Sequence, residues 1–249
     1  MTADKDYIAQ LRALWKQAFD DSEETLDAFF STAFSPDRHA SIQQNGKVIS
    51  ALYWFDCTLH DRPIAYIYAV ATDLAFRGQH YFRTLLENTH KTLQQKGYAG
   101  VVLVPCSSEL FALYEKFGYR ALCSIDERIC TQGAKAVEMH RIDQNQYANL
   151  RRQYLPAGSI LQEGENLDFL QTQDVFYAGN DFIMAVSNEE PDFLVHEFLG
   201  DPAAMGSILH ALQIPSGTFR MPGKSKAFAM FLPLQADCPT PTYFGLAFD

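Results

Sequence analysis

The sequence predicts an α/β protein with a mixed, mostly antiparallel sheet and helices on both faces, followed by a smaller α/β domain. Amphipathic helical stretches come first, extended runs joined by short turns follow them, and strand and helix then alternate along the chain. Because hairpins place strands antiparallel and a strand–helix–strand crossover places them parallel, the sheet is expected to be mixed.

The first half begins with two predicted helices. Residues 5–19 carry apolar side chains at the 3.6-residue period, which predicts one amphipathic helix. Asp21, with Glu24 three residues later, resembles a capping box that opens a second helix. Ser35-Pro36 is expected to close that helix, because proline cannot continue it.

Three extended runs follow these helices. Residues 39–44 and 47–59 are joined by Asn45-Gly46, a strong hairpin-turn sequence. The third run, residues 65–72, is uncharged on both faces, so we expect it to be covered on both sides. Strict alternation along it predicts one face made of Tyr66, Tyr68, Val70 and Thr72, and another made of Ala65, Ile67, Ala69 and Ala71.

A short turn leads from the third run into a helix that ends at Lys96-Gly97. The unpaired N–H groups and the positive end of the helix dipole both point toward such a turn, which makes it a natural place to bind phosphates. The apolar positions at helical spacing are Phe82, Leu85, Leu86, Thr89 and Leu93.

The first half closes with a strand, a helix and a strand. Residues 101–104 are fully apolar, as expected of a short strand buried in a sheet. Ser107 or Ser108 can cap a helix over residues 109–117, and residues 121–130 return as a strand.

A change of composition over residues 131–150 predicts a domain boundary, and we place the two domains at residues 1–135 and 136–249. Strand, helix and strand over Phe193–Met221 echo the core of the first domain, which suggests a degenerate internal repeat. The predicted elements of the second domain are helices at 144–154 and 202–212 and strands at 174–178, 182–186, 193–199, 217–221 and 227–232.

Composition narrows the classes of function. Of the 249 residues, 47% are hydrophobic and 20% charged, as in ordinary globular proteins. The formal net charge of −10 argues against nucleic-acid binding, which needs a basic surface, and is compatible with a cationic substrate. No run approaches the roughly 18 apolar residues that cross a bilayer, and no secretory signal is visible. The 5 cysteines have no paired CxxC spacing and the histidines no metal-ligand spacing, so we expect a cytoplasmic protein without a metal site.

Two motifs lie in order along the first half. The first is AVATDLAFRGQ, Ala69–Gln79, which runs from a strand into the turn before a helix. The second is LYEKFGY, Leu113–Tyr119, which ends the next helix. Together they resemble the signature of the GNAT N-acetyltransferase superfamily, with some similarity to enhanced-intracellular-survival-type acetyltransferases. The resemblance covers roughly residues 5–130 and implies a GNAT-like fold for the first domain.

The resemblance implies acetyl-CoA as the acyl donor. Its pantetheine arm is expected along the strand at Val70, Ala71 and Thr72, and an arginine beside a helix N-terminus suits its pyrophosphate. Where the family pattern has glycine this chain has His80, and where it has glycine or alanine this chain has Phe82. The implied pyrophosphate-binding residues are Arg77, Gly78, Gln79, His80, Tyr81 and Phe82.

The resemblance also implies that Tyr114 is the general acid that protonates the departing thiolate, a role suited to a phenol with a pKa near ~10. The alternative is a core tyrosine with a satisfied hydroxyl. Cys106 is a candidate nucleophile or simply a small residue at a strand end. The general base stays open among Asp73, Glu109, Asp126, Glu127, Glu197 and the chain-terminal carboxylate that survival-type enzymes use.

For Glu197, the alternative to the base is an exposed strand position, with His196 facing the other way. The function we predict is transfer of an acetyl group from acetyl-CoA to a small-molecule or peptide amine by direct attack, with the second domain forming one wall of the acceptor site. The alternative is a non-catalytic acyl-CoA-binding or interaction module. The second domain is also a candidate surface for a homodimer.

Overall fold

The structure, a computed structural model, describes residues 5–187 and 193–248. The helices are α1 (Lys5–Phe19), α2 (Glu23–Thr32), α3 (Tyr81–Gln95), α4 (Ser108–Glu115), α5 (Gln144–Tyr154), α6 (Glu165–Leu170) and α7 (Met205–Leu212). The strands are β1 (His39–Gln44), β2 (Lys47–Leu59), β3 (Arg62–Thr72), β4 (Gly100–Leu103), β5 (Arg120–Thr131), β6 (Met139–Ile142), β7 (Leu161–Gln162), β8 (Asp174–Gly179), β9 (Phe182–Ser187), β10 (Leu194–Gly200), β11 (Ser216–Pro222) and β12 (Lys226–Pro233). Short 3₁₀ turns lie at Leu74–Phe76 and Pro202–Ala204.

All the strands belong to one mixed sheet, in the order β1-β2-β3-β4-β12-β5-β11-β10-β9-β8-β6, with β7 paired to β2 off this path. Only β3 with β4 and β10 with β11 pair in parallel among the described strands, and the other ladders are antiparallel. Helices α1, α2, α5 and α6 pack on one face, while α3, α4 and α7 pack on the other. The predicted mixed, mostly antiparallel sheet with helices on both faces is confirmed.

The last strand of each half pairs with the other half of the chain. β12 lies between β4 and β5, where Phe231 is opposite Val102 of β4. β5 in turn pairs with β11, where Arg128 is opposite Phe219. The sheet is therefore continuous across residue 135, and the division into domains at that residue stays a prediction.

The hairpin between β1 and β2 forms as the sequence predicts, because Asn45 and Gly46 adopt φ values of 52° and 77° that a tight primed turn requires. The predicted capping box of α2 is wrong. Ser22 caps this helix by accepting from the Thr25 N–H at 3.1 Å, whereas Asp21 accepts from the Trp15 indole N–H at 2.7 Å. Asp21 therefore makes a tertiary hydrogen bond with Trp15 of α1 instead of the predicted local cap on α2.

A β-bulge interrupts β3. The strand has one extra residue between Tyr68 and Ala71 relative to β2, and Ala69 in this bulge has a φ of 48°. As a result Tyr68 and Ala71 lie in one apolar cluster and Val70 in the opposite one. The prediction that Val70 shares a face with Tyr66 and Tyr68 is wrong, and so is the prediction that Ala71 shares a face with Ala65 and Ile67, because strict alternation requires an unbroken ladder.

Candidate active site

A cavity of about 780 Å³ opens where β3 and β4 separate. The two strands pair from Ile64–Gly100 to Tyr66–Val102 and then diverge. Both halves of the chain line the cavity. The first half contributes Trp15, Ala18, Phe19, Asp21, Thr25, Tyr66–Thr72, Arg77, Phe82, Leu103–Cys106, Leu110, Leu113 and Tyr114, and the second contributes Gln173, Asp174, Ser187, His196 and Phe248.

The β4-facing edge of β3 is open along the cavity. Beyond Tyr66, no strand in the described part of the chain pairs with this edge, while β2 continues to pair with the other edge as far as Thr72. Val70, Ala71 and Thr72 line the cavity at this position. An extended backbone with an unpaired edge suits the amide-containing arm of an acyl carrier, so these residues fit the pantetheine arm.

The turn between β3 and α3 has the features of an anion cradle. Gly78 has a φ of 76°, and no atom lies within 4 Å of the place where a Cβ would stand, so the space above the turn is open. His80, the N-cap of α3, has a φ of 65° and makes no side-chain cap, which leaves the first turn of the helix to other acceptors. Arg77 Nε donates to the Thr72 carbonyl at 3.3 Å and is held beside this helix N-terminus. These groups fit a pyrophosphate.

The two departures from the family pattern do not fill this cradle. His80 takes the left-handed backbone conformation that a glycine would take, which costs about 1–2 kcal/mol for an L-residue. The Phe82 ring packs edge-on against Tyr114 and Phe117, with ring centroids 5.9 and 5.6 Å apart, in the contact between α3 and α4. Gln79 turns back to donate to the Ala75 carbonyl at 3.2 Å.

The structure thus divides the predicted donor-site residues into two groups. One group lines the cavity and consists of Val70, Ala71, Thr72, Arg77 and Phe82. The other forms the turn beside it and consists of Gly78, Gln79, His80 and Tyr81.

Tyr114 lines the cavity from α4, across from the open edge of β3. Its side chain is largely buried, and this burial, with a smaller contribution from Cys106, raises the pKa of the Tyr114 phenol well above its usual value. Ser107 positions the helix by accepting from the Leu110 N–H at 3.4 Å. Tyr114 therefore keeps its proton at neutral pH and reaches the cavity as a proton or hydrogen-bond donor.

Asp174 and His196 form a buried pair at the second-half end of the cavity. His196 Nδ1 donates to Asp174 Oδ2 at 3.0 Å, and the two side chains are 9% and 0% exposed. Asp174 begins β8, His196 lies in β10, and Ser187 at the end of β9 lies between them. His196 is the extra residue of a bulge in β10, so its side chain turns toward the cavity.

Glu197 is a structural residue and not a base in the cavity. It is fully buried and accepts from Arg151 Nε at 2.6 Å and from a second Arg151 nitrogen at 2.9 Å. The hydroxyls of Tyr147 and Tyr243 donate to the same carboxylate at 2.8 and 3.1 Å. Burial and the neighbouring Glu197 carboxylate raise the pKa of both phenols. Both readings of Glu197 from sequence, base and exposed position, are therefore wrong.

The other carboxylates proposed as bases in the first half are also engaged away from the cavity, whose described lining includes none of them. Asp73 accepts from Lys47 Nζ at 2.6 Å, which lowers the pKa of Asp73, and also caps the 3₁₀ turn. Asp126 accepts from Ser225, Glu127 pairs with Lys226 at 2.7 Å, and hydrogen bonds at the start of α4 lower the pKa of Glu109.

The C-terminal stretch approaches the cavity. Phe248 is among the lining residues, and its backbone N–H donates to the Tyr66 hydroxyl at 3.2 Å. Asp249, to which the prediction of a terminal carboxylate base refers, lies outside the described residues. Cys106 is an exposed residue of the cavity wall, and the described residues contain no group of three or more His, Cys, Asp or Glu placed to hold a metal ion.

The first half of the chain matches a known protein family. Residues 1–122 match the family described as acetyltransferase (GNAT) domain. The first 122 of the 249 residues are thus similar to a GNAT domain. GNAT acetyltransferases use acetyl-CoA as acyl donor, in agreement with the donor predicted from the two motifs. A search of curated proteins gives no match.

Solved structures extend the likeness of the fold to nearly the whole chain. A GCN5-related N-acetyltransferase from Kribbella flavida is 14% identical, with a TM-score of 0.70 over 96% of this chain and 72% of that one. Eis1 from Mycobacterium abscessus is 9% identical, with a TM-score of 0.69 over 94% and 73%. The tandem GNAT protein from the clavulanic acid biosynthesis pathway is also 9% identical, with a TM-score of 0.55 over 94% and 97%.

These neighbours confirm a two-part GNAT-like fold with similarity to the Eis type. Within this fold, sequence reasoning missed Asp174 as a functional candidate and mentioned His196 only as facing away from Glu197. The two are 22 positions apart, and no motif links them, because a three-strand ladder brings them together.

The structure also contains no helix, among its described residues, that is long and apolar enough to cross a membrane.

Proposed function

We propose that the protein is an acetyl-CoA-dependent N-acetyltransferase that acts on a small-molecule or peptide amine. The observation that carries the proposal is a single cavity that joins the open edge of β3, the turn at Arg77 and Gly78, and Tyr114 to a polar pair from the second half. Donor and acceptor can therefore meet inside one enclosure.

In this proposal the donor, when bound, supplies an acetyl thioester. Val70, Ala71 and Thr72 align its arm through backbone hydrogen bonds, and Arg77 with the N-terminus of α3 binds its pyrophosphate. The amine attacks as the neutral base, and Tyr114 gives its proton to the sulfur as the C–S bond breaks and the C–N bond forms. Since burial raises the pKa of Tyr114, the phenol stays protonated until that moment. The nitrogen releases one proton to solvent, and the Tyr114 phenolate takes one back from solvent.

The acceptor reaches the cavity between α1 and the second half. Its walls there are largely aromatic, with Trp15, Tyr68 and Phe248 among them. In this proposal the second half forms part of the acceptor site.

The experiment is an acetylation assay on a panel of amines, preceded by calorimetric titration with CoA and acetyl-CoA. Tyr114→Phe is expected to lower kcat by about 10²–10⁴-fold, the range of general acid–base catalysis, and to leave the CoA dissociation constant nearly unchanged. Tyr119→Phe is the matched control, because Tyr119 packs 5.5 Å from Tyr114 but hydrogen-bonds to His90 outside the cavity. Its turnover is expected to equal that of the wild type.

Equal kcat for the wild type and Tyr114→Phe would show that Tyr114 is not the acid. CoA binding without turnover of any amine would instead support the alternative, an acyl-CoA-binding module, and absence of CoA binding would contradict both.

A further inference from the structure

We propose that Asp174, positioned by His196, binds the positively charged group of the acceptor and makes the second half of the chain the determinant of acceptor specificity. The inference rests on the proposed function in placing the acyl donor at the β3–α3 end of the cavity.

One oxygen of the Asp174 carboxylate has no hydrogen-bond donor among the described residues. Its side chain is fully buried, and Oδ2 accepts from His196 Nδ1 at 3.0 Å. Oδ1 is buried as well and has no hydrogen-bond partner among the described residues. A buried polar atom without a hydrogen-bond partner destabilises the protein, and more so when it is charged. A cationic N–H group of a ligand in the cavity would satisfy Oδ1 and offset that cost.

The charges along the cavity favour a cationic ligand at this end. Arg77 is the one lysine or arginine among the described residues of the lining, and it belongs to the turn before α3. The second carboxylate of the lining, Asp21, already accepts from the Trp15 indole N–H at 2.7 Å. Asp174 is therefore the carboxylate of the cavity with a free acceptor position and no arginine or lysine partner.

The neighbouring walls define the rest of the ligand. Tyr66, Tyr68 and Phe248 form a contiguous group. The ring centroid of Phe248 lies 5.4 Å from that of Tyr66 and 5.4 Å from that of Tyr68. Aromatic faces favour both an apolar body and a cation held above a ring. We infer an amine on an aromatic or aliphatic body that lacks a carboxylate, because a carboxylate beside Asp174 would be repelled.

His196 acts as a positioning residue. It donates its Nδ1 hydrogen to Oδ2, which fixes the Asp174 carboxylate and directs Oδ1 to a different partner. The bulge in β10 allows this contact between β8 and β10, which lie on either side of β9. It does so because it turns His196 out of the ordinary alternation of the strand.

The experiment is calorimetric titration of the CoA-loaded protein with tryptamine and with tryptophan, which differ by the carboxylate. Tryptamine is expected to bind at least about tenfold more tightly, the effect of one charge-assisted hydrogen bond. Asp174→Asn keeps an acceptor for His196 but removes the charge. It is expected to weaken tryptamine by about 10–100-fold and to leave CoA affinity unchanged.

Three control variants sharpen the result. Glu127→Gln removes an ion-paired strand carboxylate outside the cavity and is expected to change neither affinity. His196→Gln keeps an N–H donor and is expected to retain tryptamine binding, whereas His196→Leu is expected to lose it. If His196 had a purely structural role, His196→Gln would not restore the tryptamine binding that His196→Leu loses.

Equal affinity for tryptamine and tryptophan in the wild type would overturn the inference, even if Asp174→Asn failed to fold. Unchanged tryptamine affinity in folded Asp174→Asn would also overturn it, while amine turnover by that variant would leave the proposed function intact. Asp174-dependent binding of tryptamine without turnover of any amine would support the inference and contradict the proposed function.

Discussion

The two strand–helix–strand units of this chain share a topology but differ in what they can bind. In the first unit β3, α3 and β4 give a parallel strand pair, and in the second β10, α7 and β11 do the same. The first strand of each unit carries a one-residue bulge. Among the described residues, only the first unit opens into the 780 Å³ cavity at its strand separation.

The turns before the two helices explain part of the difference. The first turn presents Arg77, an open Gly78 and an uncapped helix start. The corresponding turn of the second unit is Gly200-Asp201-Pro202, in which Asp201 accepts from the Ala203 N–H at 2.9 Å and Pro202 has no N–H to offer. A Cβ on Gly200 would lie 2.3 Å from the Asp181 carbonyl oxygen, so the backbone there is already closely packed. The first turn therefore presents a positively charged side chain and open N–H groups, whereas the second presents the Asp201 carboxylate.

Side-chain packing explains the rest. The second unit is filled by aromatic rings, with Phe198 stacked on Phe182 at 5.8 Å and edge-on to Phe219 at 5.7 Å. The bulge of β3 opens a cleft, while the bulge of β10 directs His196 toward the same cleft. The two units thus share a framework, and the second contributes His196 to the cavity that opens at the first.

The largest effect should come from the scaffold of the second unit. Glu197→Ala leaves Arg151 buried without its partner and is expected to lower the free energy of unfolding by about 3–5 kcal/mol, measured by urea denaturation. Replacing both members, Glu197→Leu with Arg151→Met, should recover only part of that loss, because the buried Tyr147 and Tyr243 hydroxyls then lose their acceptor. If Glu197→Ala leaves stability unchanged but abolishes turnover, Glu197 is catalytic, and its assignment as a structural residue of the second unit is wrong.

A middle-sized effect should come from the turn of the first unit. Arg77→Ala is expected to weaken CoA binding by about 10–100-fold in calorimetry, because a charge-assisted contact with pyrophosphate is lost. Arg220→Ala, an arginine of β11 in the second unit, is the matched control and should leave CoA affinity unchanged. Equal weakening by both variants would mean that net charge and not the turn determines donor binding.

The smallest effect concerns two residues with left-handed backbones. His80 before α3 and Gln213 after α7 have φ values of 65° and 60°. Glycine at either position removes the strain of a Cβ but adds freedom to the unfolded chain, so each variant should gain about 0.5–1 kcal/mol of stability in thermal denaturation. Neither variant is expected to change CoA affinity, because neither side chain lines the cavity. Tighter CoA binding by His80→Gly alone would show that the His80 side chain obstructs the donor.

Local sequence determined much of the fold. The period of α1, the Asn45-Gly46 hairpin and the bounds of α5 at Gln144–Tyr154 all follow from residues close together in the chain. The donor motif is local in the same sense, because a strand end, a turn and a helix start are contiguous. Arg77 and Gly78 could therefore be proposed from this motif, and Tyr114 from the family resemblance of the second motif, Leu113–Tyr119.

The acceptor end was decided by tertiary structure. Asp174 and His196 meet through pairings with β9, and the burial of Glu197 depends on Arg151, Tyr147 and Tyr243 from elements far from it in sequence. The bulges of β3 and β10 also reset which side chains face the cavity, which strict alternation cannot foresee. Periodicity and turn chemistry act over a few residues, whereas a site assembled across a sheet depends on strand register, and only the folded chain fixes that register.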